Sequence, residues 1–117
     1  MRPNEYQTLA WSTARPFYRA ETNDGTFQDL QLSTLSLALQ SKAGEFSESV
    51  RKKIESSKIL DYQLRDEFIE RLGGVLWFVA CAAQMLNTPL EVVMQKNIAY
   101  LRDKYPEGIL QNKNIKF

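Results

Sequence analysis

The chain reads as all-α, a single antiparallel bundle of four helices that associates with further copies of itself. Three observations carry this reading. Apolar residues recur at steps of three and four along two long stretches, cap and breaker residues separate the stretches, and no strand pattern competes with them. The 117 residues are 44% hydrophobic and 25% charged, which suits one core for the whole of residues 1–117 and leaves little apolar surface for a second.

The first helix is expected to begin at Asn4, whose side chain can cap it, with Gln7 three residues on as the return partner. Tyr6, Leu9, Ala10 and Thr13 keep helical spacing until Arg15-Pro16 disturbs it, and Glu21 to Thr26 is a turn by composition. The second helix is long, from about Phe27 to Ser56, with Leu32, Leu35, Leu39, Ala43, Phe46, Val50 and Ile54 on one stripe. Arg51, Lys52, Lys53 and Lys58 crowd its far end and the connection after it. The third helix starts near Leu60 or Asp61 and runs to about Leu86. Its stripe is Phe68, Leu72, Val75, Leu76, Val79, Ala83 and Leu86. The second half of that helix is apolar nearly all round, a pattern that neighbours must cover, so a homodimer or homotetramer is expected. Asn87 can stop it. Thr88-Pro89-Leu90-Glu91 then supplies a cap, a first-turn proline and a capping-box glutamate for a fourth helix that ends before Tyr105-Pro106. Short links between four helices give the antiparallel bundle, with about residues 106–117 as a polar tail.

Composition narrows the function classes. Formal net charge is +1, so nothing global favours a nucleic-acid polymer or an anionic membrane, and any anion recognition is local. Cys81 is the only cysteine, so no disulfide frame exists and a reducing, cytoplasmic setting fits best. Histidine is absent, which removes the commonest general base and a common zinc ligand. Nothing resembles a signal peptide, and the apolar run from Val75 to Met85 is too short to span a bilayer.

Several segments, in order and at matching spacing along nearly the whole chain, resemble the MazG-like nucleoside triphosphate pyrophosphohydrolases. They are Asn4-Glu5-Tyr6-Gln7, Thr13-Ala14, Ala43-Gly44-Glu45, Leu72-Gly73 with Val75-Leu76-Trp77, Pro89-Leu90-Glu91-Val92-Val93, Asn97-Ile98 and Tyr105-Pro106-Glu107-Gly108. The resemblance implies a helical bundle, usually dimeric, that cleaves nucleoside triphosphates to a monophosphate and pyrophosphate. It also implies a magnesium site built from an E-x-x-E on the second helix and an E-x-x-D on the third, whose ions bind the phosphates and activate water.

Here those four positions hold Lys42, Glu45, Arg71 and Gly74, and only Glu45 keeps a carboxylate. At about 4 Å and an effective dielectric of about 20, each pair of unit charges is worth roughly 4 kcal/mol, and the metal's double charge doubles the repulsion from each cation. The family reaction is therefore expected to be lost or severely reduced. One reading has Lys42 and Arg71 take the metal's place and neutralise phosphate directly, with Glu45 orienting them and Gly74 leaving room. The other has Glu45, level with Arg71 on the antiparallel pair, simply bridge to Arg71 or Lys42. A third keeps the enzyme: Glu45, Glu48, Glu67 and Glu70 form a second level set that would hold Mg2+ one turn nearer the helix connection.

Further candidates for the ligand are Lys52 and Lys53 beyond Glu48, and Asn97 and Lys104, which match a family stretch that completes the pocket. Tyr100 stands where that stretch usually carries a basic residue. Trp11, Phe17 and Tyr18 can stack a base, whereas Trp77 and Cys81 read as core. The favoured function is non-catalytic binding of a nucleotide, linear or cyclic, or a nucleotide-derived signal, with no cofactor. A phage-type sequestering protein is one concrete form of it. The alternatives are an active magnesium-dependent pyrophosphohydrolase and a structural or protein-interaction module.

Overall fold

The computed structural model describes residues 1–18 and 25–107, with the side chains of residues 25–28 outside the description. The described residues form four α-helices and no strand: α1 (Pro3–Ala14), α2 (Gly25–Glu55), α3 (Tyr62–Met85) and α4 (Leu90–Lys104). The all-α class and the four helices follow the sequence pattern. The turn expected at Glu21 to Thr26 lies largely outside the described residues, as does the tail from Gly108 to Phe117.

The helix ends have local causes. Backbone geometry closes α2, where Ser57 takes a left-handed φ of 57° while its N–H bonds Ile54 O at 3.1 Å and that of Lys58 bonds Lys53 O at 3.3 Å. The same paired closure ends α3. Asn87 has φ 52°, its N–H bonds Gln84 O, and that of Thr88 bonds Ala83 O, both at 2.9 Å. Asn87 thus stops the helix as its sequence position implies, since asparagine tolerates this conformation better than most residues. Asp61 caps α3, accepting from Leu64 N at 2.8 Å.

Two caps differ from expectation. α1 begins at Pro3, a residue with no N–H to satisfy, and Asn4 lies inside it. The Asn4 side chain is spent on another helix: its Oδ1 accepts from Glu91 N at 3.1 Å. Gln7 is buried and does the same, its Oε1 accepting from Leu90 N at 2.8 Å. Its Nε2 donates to Thr88 O at 2.8 Å and to Ala80 O at 3.4 Å. Thr88 was expected to cap α4, but its hydroxyl turns back to Leu86 O at 3.0 Å, and Pro89 occupies the cap position. The first amides of α4 are therefore satisfied from α1, across more than eighty residues of sequence.

α3 is the central helix and packs on all three others; α1 also meets α4. The core gathers Ala10 and Ala14 of α1, Leu35 of α2, Ala80, Cys81 and Met85 of α3, and Leu90 of α4. Small residues at 10, 14, 80 and 81 let the backbones of α1 and α3 approach closely. Tyr6, Trp11, Tyr18, Trp77 and Phe78 close the rim. The buried face of α1 is Gln7, Ala10 and Ala14, while Leu9, expected on the apolar face, is exposed.

Beyond this core α2 and α3 continue as a two-helix hairpin. Phe46 and Phe68 meet edge to face at 5.9 Å, and Glu45 meets Arg71, which establishes the antiparallel register. Part of each expected stripe stays uncovered in the single chain: Ala43 and Ile54 on α2, Leu72 and Leu76 on α3, and Leu86 at its C-cap, are exposed. α3 as a whole is long and apolar enough, by length and composition, to cross a membrane, a property that the shorter run from Val75 to Met85 does not reveal. In the fold it is the helix on which the other three pack.

Candidate functional site

The site is built on the hairpin, where side chains one turn apart on α2 face their level partners on α3. Glu45 is its hub. Its Oε2 takes Lys42 Nζ at 3.3 Å and Arg71 Nη1 at 3.6 Å, so the two expected cations converge on the one surviving carboxylate. Arg71 Nη2 reaches Glu67 Oε1 at 3.5 Å along its own helix. These ion pairs are partly exposed, with 37% of the Arg71 side chain and 44% of the Glu45 side chain accessible, so each is worth roughly 0–1 kcal/mol. Arg71 Nε is buried and has no hydrogen-bond partner. A Cβ built on Gly74 would meet Lys42 Cδ at 3.7 Å, an ordinary contact, so the stem of Lys42 lies over the glycine.

Arg71 and Glu67 line two neighbouring cavities. The inner one, about 270 Å³, is lined by Lys42, Glu45, Glu67, Glu70, Arg71 and Gly74. The outer one, about 620 Å³, lies at the hairpin connection, with Ser49, Ser56 and Leu64 completing its wall. Among its lining residues it presents Arg51, Lys52, Lys53, Lys58 and Arg71 against Glu55 and Glu67, an excess of three positive charges, with Glu48 and Glu45 reaching Arg51 and Arg71 from outside the lining. The inner cavity, with three carboxylates and two cations, carries one excess negative charge. Arg51 is already engaged. It forks onto Glu48 at 2.6 and 2.9 Å and also bonds Glu55, and the hydrogen bonds to Arg51 hold the Glu48 carboxyl below its ordinary range. Lys52, Lys53 and Lys58 have no hydrogen-bond or ion-pair partner among the described residues. Lys52 and Lys53 also sit in the last turn of α2, where positive charge complements the helix dipole.

The second carboxylate set is dispersed. Glu45 is committed to Lys42 and Arg71, Glu67 to Arg71 and Glu48 to Arg51, and Glu70 lines the inner cavity. Among the described residues no three acidic, cysteine or histidine side chains stand together as a metal site. Asn97 and Lys104 line neither cavity. They are on α4, which packs against α1 and α3 and is no neighbour of α2 among the described residues. Lys104 Nζ lies instead over the rings of Tyr100 and Tyr105, at 5.7 and 5.5 Å. Trp11 and Tyr18 pack on the core and Phe17 is exposed; none of the three lines the cavities beside Arg71. Trp77 is half-buried, its Nε1 donating to Thr13 Oγ1 at 2.8 Å. Cys81 is fully buried, and burial pushes its thiol up to about 11.

Sequence reasoning passed over Arg51 and Lys58 as ligand groups. The signal was present as four cations within eight positions, but only the hairpin closure at Ser57 folds Lys58 back over the same cavity.

No family model matches the chain, and no solved structure matches it. A phage protein does. The Gene 37 protein of Mycobacterium phage L5 is 31% identical over 81 residues, which span 68% of this chain and 71% of that protein. With that identity and that coverage, the chain belongs to the family of the phage L5 Gene 37 protein.

Proposed function

We propose that this protein binds a nucleotide, or a nucleotide-derived signal, without cleaving it, and that Arg71, at a position where a MazG-like enzyme would hold magnesium, acts with the basic residues of the adjoining outer cavity. The observation that carries the reading is the outer cavity, whose three excess positive charges surround a hairpin groove large enough for a phosphorylated ligand. Arginine's planar fork suits phosphate oxygens, and lysines add point charges without demanding a fixed geometry. Arg71 is held in place from two sides, by Glu45 and Glu67. Non-catalysis is supported by the state of the carboxylates, each of Glu45, Glu48 and Glu67 being neutralised by a cation of this chain. A sequestering role, in which a small protein soaks up a host nucleotide, is one form of this proposal.

The reading includes a second copy of the chain. Ile69, Leu72 and Leu76 form one helical stripe on α3 that is about half exposed, and Leu30 and Leu37, two turns apart on α2, are 63% and 64% exposed. Water contact over that much aliphatic surface is unfavourable, at about 25 cal/mol per Å². A homodimer covers it.

The experiment is a thermal-shift screen of linear and cyclic nucleotides in EDTA, repeated with magnesium. Stabilisation in EDTA that disappears in Arg71→Glu supports the binder. Stabilisation that requires magnesium and is followed by pyrophosphate release would identify an enzyme instead. No ligand effect under either condition would leave an interaction module.

A further inference from the structure

The two cavities differ in charge and share one wall, and that asymmetry gives a bound ligand a direction. We infer that the phosphate sits in the outer cavity, on Lys52, Lys53, Lys58 and Arg71, and that Lys42 is not a phosphate ligand but a clamp on Glu45. The inference rests on the nucleotide-binding reading above and fixes which end of the ligand lies where.

A phosphate dianion is drawn to the cavity with three excess positive charges and repelled by the one with an excess negative charge. Lys42 Nζ is within 3.3 Å of Glu45 Oε2, so its charge is already answered, whereas Lys52, Lys53 and Lys58 have no such partner among the described residues. Arg71 lines both cavities. Two of its nitrogens are turned toward Glu45 and Glu67, and Glu67 lines both cavities with it, so this pair forms the boundary that the cavities share. A phosphorylated molecule lying across that boundary places its uncharged part in the inner cavity, beside Glu70. That carboxylate has no ion pair or hydrogen bond of its own among the described residues and can only accept hydrogen bonds. The group facing it is therefore a donor, such as a sugar diol or an exocyclic amine. The ligand class is a phosphorylated sugar or nucleoside with free donors on the side away from its phosphate.

The test is calorimetric binding of orthophosphate, ribose 5-phosphate, adenosine 5′-monophosphate and its 2′,3′-dideoxy analogue to the full chain in EDTA. Four proteins are compared: the wild type, Lys52→Ala/Lys58→Ala, Lys42→Ala and Glu70→Gln. Circular dichroism confirms folding for each. The double variant is expected to weaken all four ligands at least tenfold, and Lys42→Ala to change orthophosphate affinity less than threefold. Glu70→Gln is expected to weaken the donor-bearing ligands several-fold and leave orthophosphate unchanged. Loss of orthophosphate binding in Lys42→Ala with retention in the double variant would reverse the direction and overturn the inference while leaving the nucleotide-binding reading intact. Equal affinity of Glu70→Gln and wild type for every ligand would remove the donor end. Absence of binding to the wild type by all four ligands would overturn both the direction and the reading on which it rests.

Discussion

Gly74 illustrates how much one position carries. It lies inside α3 with no positive φ, so its backbone asks for no glycine, and a methyl group there makes only an ordinary contact with Lys42 Cδ. Alanine is favoured over glycine in a helix interior by about 1 kcal/mol. Gly74→Ala is accordingly expected to raise stability by about 0.5–1 kcal/mol, read as a higher urea midpoint at unchanged slope. Arg71 behaves in the opposite way. Its ion pairs are partly exposed and stabilise little, so its replacement is expected to leave the fold nearly as stable while removing the cation that lines both cavities.

At the scale of elements, the start of α4 depends on α1. Gln7 is buried and makes three hydrogen bonds to the α3–α4 junction, to Ala80 O, Thr88 O and Leu90 N. Gln7→Ala strands the Leu90 amide and the Thr88 carbonyl, and a buried group left unsatisfied costs about 1–3 kcal/mol. The expected loss is about 2–3 kcal/mol by urea denaturation, after allowance for water reaching part of the site. Asn4→Ala removes an exposed cap and is expected to cost about 1 kcal/mol or less. A cost for Gln7→Ala no greater than that for Asn4→Ala would mean that α4 is held by its apolar contacts and not by these bonds. The hairpin of α2 and α3 is independent of this knot, because its far half is tied by Phe46–Phe68 and by the ion pairs of Glu45.

Two expectations belong to the whole molecule. The first concerns pH. Burial raises the Cys81 thiol from 9.0 to about 11, and Tyr6 is also raised, by burial first and by the nearby Cys81 second. Groups whose folded pKa lies above the unfolded value favour the folded chain fully below the unfolded pKa. That stability is lost as pH rises toward the folded one. On the alkaline side urea stability is therefore expected to hold from neutral pH to about pH 8 and to fall between pH 9 and 11, with a smaller fall in Cys81→Ala. Iodoacetamide at pH 8 should label Cys81 only after denaturant is added, since the thiol is both inaccessible and protonated. The second concerns assembly. Sedimentation velocity is expected to give a homodimer, and Leu72→Lys/Leu76→Lys a folded monomer. A wild type that is monomeric at high micromolar concentration would sink the second copy as the cover of that face.

The helices themselves were legible in the sequence because helix formation is local. Spacing of apolar residues placed α2 and α3 within about two residues, Asp61 and Asn87 marked two ends of α3, and Pro106 lay just past the end of α4. The convergence of Lys42 and Arg71 on Glu45 was legible too, since register on an antiparallel pair follows from the connection that joins it. Tertiary structure decided what depends on distant partners. Asn4 and Gln7 carry the signature of a local cap, yet they serve a helix more than eighty residues away, because a donor or acceptor bonds whatever packing brings within 3 Å. Asn97 and Lys104 are placed on a helix that does not adjoin α2, so their position in the sequence gave them no place in the cavities beside Arg71. Charge at that site was decided last of all. Composition records one net positive charge for the chain, and only the folding of the hairpin separates a cavity with an excess of three positive charges from one with a single negative excess.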